Sequence, residues 1–118
     1  MAEFGPTIAD AYAFEGEWLD LGRGVHEGKV VGEAAVRLPL ATSNRHGLIA
    51  GATGTGKTRT LQLLAEQLSA AGVPIAAADM KGDLSGVSQP GEPDGPAEKR
   101  AAELGVHPTS WIRGIAEA

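Results

Sequence analysis

Eight consecutive residues, Gly51-Ala52-Thr53-Gly54-Thr55-Gly56-Lys57-Thr58, constrain this chain more than any other feature of it. They fit G-x-x-x-x-G-K-[ST] at every fixed position, and that pattern requires a strand before it and a helix after it. Both flanks are legible. Leu48-Ile49-Ala50 is a short apolar run, and Leu61, Leu64, Ala65 and Leu68 recur at i, i+3, i+4 and i+7, the stripe of a helix laid on a sheet. Arg59, Gln62, Glu66 and Gln67 fall on its other face. Gly72 gives that helix a stop, and Pro74 follows where a helix cannot continue.

The residue types suit the holding of phosphate. Glycines at 51, 54 and 56 let the backbone take positive φ and bring successive N–H groups onto anionic oxygens with no Cβ in the way. A helix starting near Gly56 adds its unpaired first-turn N–H groups and the positive end of its dipole. Lys57 is then expected to reach the β- and γ-phosphates of a nucleotide, and Thr58 to ligate Mg²⁺ through its hydroxyl. With Arg59 in the same first turn, the expected nucleotide-contacting set is Gly51, Ala52, Thr53, Gly54, Thr55, Gly56, Lys57, Thr58 and Arg59. ATP and Mg²⁺ are the expected ligands.

Around this centre the chain reads in order. Residues 1–15 have no sustained period and suit a frayed end or a short helix. From Glu17 to Leu40, short apolar pieces separated by Gly22, Gly24, Gly28 and Gly32 predict two or three short strands joined by tight turns, with Pro39 at an edge or an end. His26 reads as an exposed loop histidine, since no second ligand stands near it, and His46 lies at the entry of the expected strand, away from the phosphates. Val73 to Ala78 has the length and apolarity of a parallel strand buried on both faces, which would complete a βαβ unit. Asp79 follows at the end of that strand, on the ligand side of an open α/β sheet. It is the second catalytic and metal candidate beside Lys57 and Thr58, with a turn-capping role as the alternative. Asp83 has a weaker claim. Gln89 to Pro96 reads as a surface loop, Ala97 to Leu104 as a short helix opened by Pro96 and ended by Gly105, and His107 to Ala118 as strand or helix.

Length limits what this can be. A P-loop domain needs about five strands with their helices, more than 118 residues with a β-rich start readily supply. The expected fold class is therefore α/β: an incomplete P-loop nucleotide-binding domain over 43–118, preceded by a β-rich segment over 1–42. Aromatic residues make up only 4% of the chain, so its core must rest on Ala, Val, Leu and Ile. The absence of cysteine excludes disulfides and thiolate metal sites. A net charge of −5 gives no whole-chain field that would draw in nucleic acid, and Arg23, Lys29, Arg37 and Arg45 are scattered. No apolar run approaches a membrane span and the first twenty residues lack a basic start, so a cytoplasmic location is expected.

The stretch from Arg37-Leu38-Pro39-Leu40 through Asn44-Arg45-His46-Gly47-Leu48-Ile49-Ala50 and the loop to Thr58, then Thr60-Leu61-Gln62 and Asp79-Met80-Lys81-Gly82-Asp83-Leu84-Ser85-Gly86, resembles HerA-like ATPases of the HerA/FtsK class. It covers about residues 18–91. The resemblance implies a RecA-like core, ATP hydrolysis within a hexameric ring and, as in the better-known members, DNA translocation. Residues 51–58 match the family's P-loop, and Asp79 matches the acid ending its next core strand. The family's Walker B acid and arginine finger lie further along the chain, and beyond Leu104 this sequence departs from the family pattern. After Asp79 no apolar strand ends in an acidic pair, and Lys99, Arg100 and Arg113 fit no arginine-finger context. The expectation is an ATP-binding piece of a hydrolytic motor, with binding better supported than turnover. Two other readings stay open. One is a small P-loop kinase or GTPase-like phosphotransferase, since Asp79-Met80-Lys81-Gly82 fits D-x-x-G although no N-K-x-D string is present. The other is a non-catalytic nucleotide-binding fragment.

Overall fold

The turn at Glu27-Gly28 folds residues 18–39 back on themselves, because both residues adopt positive φ (49° and 74°) as a two-residue hairpin turn demands. The strands it joins are β1, Trp18–His26, and β2, Lys29–Pro39, paired antiparallel from His26↔Lys29 to Trp18↔Pro39. Beyond the last pair, the Leu40 N–H donates to Glu17 O at 2.9 Å, and Pro39 ends the strand where its ring removes a ladder donor. The pairing slips between Asp20 and Gly22 and again between Arg23 and Val25. Gly22, Gly24 and Gly32 thus lie inside strands, where turns were expected.

The computed structural model describes residues 3–82, 84 and 95–103. The described residues divide into two compact units, one holding 3–47 with 100–103 and the other 48–82, 84 and 95–99. In the first, α1 (Phe4–Ala11) packs on the hairpin, chiefly on β2. The approach is close: a Cβ at Gly24 would stand 2.9 Å from both Phe4 and Ala34, and one at Gly5 would stand 3.1 Å from Val31. His26 ends β1, paired with Lys29, rather than occupying a loop; it is exposed, and its ring meets that of Phe4 at 4.9 Å between centroids. Buried apolar side chains in this unit are Leu19, Ala34, Ala35 and Ala101, a core of small residues as the composition requires. Within the hairpin, Arg23 donates to both oxygens of Asp20 (2.8 and 3.0 Å), and the Arg37 guanidinium lies 4.5 Å above the Trp18 ring.

The second unit is built on α2, Lys57–Ala70. Its C-terminus is closed as the sequence predicts: Gly72 takes φ 82°, its N–H donates to Ser69 O at 2.9 Å, and the Val73 N–H reaches back to Leu68 O at 3.0 Å. The expected βαβ unit, however, is not formed among the described residues. Their only sheet is β1–β2, and residues 48–50 and 73–78 pair with no strand. The described residues form a small α/β arrangement and do not show a complete RecA-like P-loop core. The physical reason is visible in exposure: Leu48 is 89% exposed, and Ile49, Val73 and Ile75 remain near 40%. A parallel strand is stable only when both of its faces are covered.

A third helix, α3, runs from Pro96 to Glu103, with Arg100 bonded to Glu103 at 2.6 Å. Its predicted stop at Gly105, the loop at 89–94, Asp83, Arg113 and the segment 107–118 lie outside the described residues. None of the helices among the described residues is long and apolar enough to cross a membrane.

On the expected polar face of α2, Gln62, Glu66 and Gln67 are all half-buried. The Glu66 Oε1 has no hydrogen-bond partner, and burial raises the pKa of this carboxyl above the usual 4.5. A carboxyl whose folded pKa is raised contributes stability below its unfolded pKa and loses it as pH rises through the folded value. Thermal unfolding of wild type and Glu66→Gln should thus diverge with pH, the variant gaining on the wild type as pH rises above the ordinary carboxyl value of 4.5. A gap that does not change with pH would contradict the buried placement of this carboxyl.

Candidate functional site at the 51–58 loop

Two glycines set the shape of the loop. Gly54 has φ 82° and Gly56 has φ 95°, and at neither does any atom lie within 4 Å of where a Cβ would point. Gly56, with ψ 17°, is the left-handed residue at which α2 begins. An L side chain there would cost about 1 kcal/mol or more from backbone strain alone. No side chain caps this helix. The first intrahelical bond of the turn is Thr60 N–H to Gly56 O at 3.0 Å, so the N–H groups of Lys57, Thr58 and Arg59 precede the helical ladder.

The loop is tied through a single acceptor. Ala52 O receives the Thr55 N–H (3.3 Å), the Thr55 hydroxyl (2.6 Å) and the Lys57 ammonium (2.9 Å). Lys57 thus folds back over the loop, and its bond to a neutral carbonyl is one that a phosphate would outcompete, because charge-assisted bonds are stronger. Residues 51–56 are exposed, and Lys57 and Thr58 are half-buried. Arg59 is exposed and donates to Gln62 Oε1 at 3.1 Å along the helix surface. The arrangement is an open helix start with uncapped donors, a cation beside it and no acidic neighbour in its first turn, which is what an anion-accepting site needs.

Asp79 caps a turn in this structure. Its Oδ2 accepts the Leu84 N–H at 2.7 Å and its Oδ1 the Lys81 N–H at 3.0 Å. These bonds, that of Leu84 foremost, together with one from the Gly82 N–H, hold its carboxyl below the usual carboxylate value. The residue ties the turn that follows 73–78, the alternative weighed from sequence. No hydrogen bond or ion pair joins it to residues 51–58. No group of three or more His, Asp or Glu side chains that could hold a metal occurs among the described residues. The signal for Asp79 capping lay in the string Asp-Met-Lys-Gly, where Asp two residues before a turn N–H is a usual arrangement.

These features define a class: a glycine-shaped loop opening a helix, with a lysine at its first position and a threonine at its second. The chain belongs to the helicase HerA-like C-terminal family, whose model matches residues 26–113, the greater part of its length. Comparison with curated proteins and with solved structures finds no match to either.

A carboxyl with a lowered folded pKa stabilises the turn above its unfolded value, and the effect is lost as pH falls through the folded one. The Leu84 amide proton resonance should therefore follow Asp79 ionisation and titrate below the ordinary value of 3.8. Asp79→Asn should abolish that titration, whereas a midpoint at or above the ordinary value would contradict the hydrogen bonds described.

Proposed function

We propose that the chain is the ATP·Mg²⁺-binding part of a HerA-like motor, and that the 51–58 loop is its nucleotide site. The observation that carries this reading is the uncapped start of α2, reached through left-handed Gly54 and Gly56, with Lys57 placed at the first helical position. Family membership supports the same assignment. In this reading the N–H groups of residues 54–59 hold the phosphates, Lys57 exchanges Ala52 O for β- and γ-phosphate oxygens, and Arg59 borders the nucleotide. The Thr58 hydroxyl supplies a protein ligand to Mg²⁺, whose remaining shell comes from phosphate and water, as that ion prefers. Asp79 accepts three N–H groups while capping its turn, which leaves one of its four lone-pair sites to accept from a Mg²⁺-bound water.

Bound Mg²⁺ would neutralise charge on the phosphates; the residues of this chain orient the nucleotide and shield its charge. Turnover needs more than a cradle. An arginine finger supplies a factor of about 10³ to 10⁵ in rate, and no basic residue after Asp79 stands in such a context. We infer that ring neighbours complete the hydrolytic site and that the exposed residues at 48–49 and 73–75 pair with strands of a larger ATPase. Use of DNA follows from the family alone, since the charge of this chain offers no attraction for it.

Calorimetry on the wild type and Lys57→Ala tests the site. Loss of the ammonium should weaken ATP·Mg²⁺ binding by about 2 kcal/mol, near thirtyfold. Equal affinities would remove the assignment. In the same titrations GTP should compete with ATP to within about tenfold, because the contacts are to phosphate; a preference for GTP beyond about 100-fold would favour the GTPase-like alternative.

A further inference from the structure

We propose that Thr55 is a positioning residue of the 51–58 loop, and that position 51 is glycine because of Thr55 and not because of its own backbone. The inference rests on the nucleotide-binding reading of this loop. Gly51 is not among the residues with positive φ, so its conformation is open to any residue. Space is what excludes a side chain there. A Cβ at 51 would lie 2.5 Å from the Thr55 hydroxyl oxygen, a distance no real contact tolerates, while Thr55 Cβ and Lys57 Cγ would stand at an ordinary 3.5 Å. One atom therefore decides the matter. That atom cannot swing away without losing its 2.6 Å bond to Ala52 O. The glycines of the motif thus have two different causes, since Gly54 and Gly56 have open space beside them and positive φ.

The bond has a task once a phosphate arrives. Lys57 must leave Ala52 O to reach the anion, which removes one of the donors that hold this carbonyl. The Thr55 N–H and hydroxyl remain on it. The 52–53 peptide is trans, so its carbonyl and the Thr53 N–H point in opposite directions, and fixing one fixes the other. Thr55 keeps the Ala52 oxygen turned into the loop and away from the phosphates. Without it a carbonyl dipole is free to turn its negative end on the ligand.

The test uses four variants of the full chain, with ATP·Mg²⁺ affinity and ligand-free amide shifts of residues 52–58 as readouts. Thr55→Ala should weaken binding roughly fivefold, the scale of one net hydrogen bond, while Thr55→Ser should restore it to within about twofold of wild type. Gly51→Ala should weaken it by more than about tenfold and displace the ligand-free amide shifts, and Gly51→Ala/Thr55→Ala should return both readouts to those of Thr55→Ala. Gly51→Ala behaving as wild type, a double variant no better than Gly51→Ala, or Thr55→Ser as weak as Thr55→Ala would each overturn the proposal. If the wild type binds no nucleotide, the functional reading falls, and the ligand-free shifts of the single and double variants still decide the coupling.

Discussion

The carbonyl oxygen of Ala52 is the point on which the 51–58 loop depends. Three donors from two residues converge on it, and two of them come from Thr55. Because that carbonyl is held inward, the next turn can run through Gly54 into the left-handed Gly56 and start α2 with its donors uncovered. An uncapped helix start normally leaves hydrogen bonds to water, at a cost in helix stability of about 1 kcal/mol compared with a Ser or Asp cap. Without such a cap, the first-turn N–H groups of α2 stay open to another acceptor.

The two units solve different problems with the same scarcity of large side chains. In the first, close approach replaces bulk: α1 lies against β1 and β2 through Gly5 and Gly24, and alanines at 34 and 35 fill what remains. In the second, no residue of α2 is fully buried, and Leu61 is 45% exposed. Its ends are nonetheless defined with care, by Gly56 before and Gly72 after. Local hydrogen bonding therefore determines where this helix begins and stops, and lateral packing contributes less than is usual for an amphipathic helix.

What was legible in the sequence follows this division between local and distant causes. The β character of 18–39 with a turn at Gly28, the ends of α2 and the start of α3 were readable because each is set by residues within a few positions of one another. Gly22, Gly24 and Gly32, by contrast, lie inside strands and not at turns. The strands expected at 48–50 and 73–78 are not formed among the described residues, because an apolar run states a need for burial without supplying the neighbour that meets it. Glu66 was assigned to the polar face by spacing, yet a long side chain can lay one oxygen into a half-buried seam, and periodicity carries no signal of that. The shape of the 51–58 loop was foreseen from its glycines. The reason for Gly51 was not, since position in the motif suggested backbone freedom and only atomic proximity to Thr55 shows the steric cause.

The central claim is that the N–H groups at the start of α2 receive phosphate. Amide-resolved NMR during titration with ATP·Mg²⁺ tests it most directly. The account predicts that the largest shifts fall on residues 54–59, with the Lys57 and Thr58 amides foremost, and that inorganic triphosphate with Mg²⁺ reproduces them because the contacts are to phosphate. Saturating nucleotide that leaves these amides unmoved, or moves mainly residues of the hairpin, would contradict it.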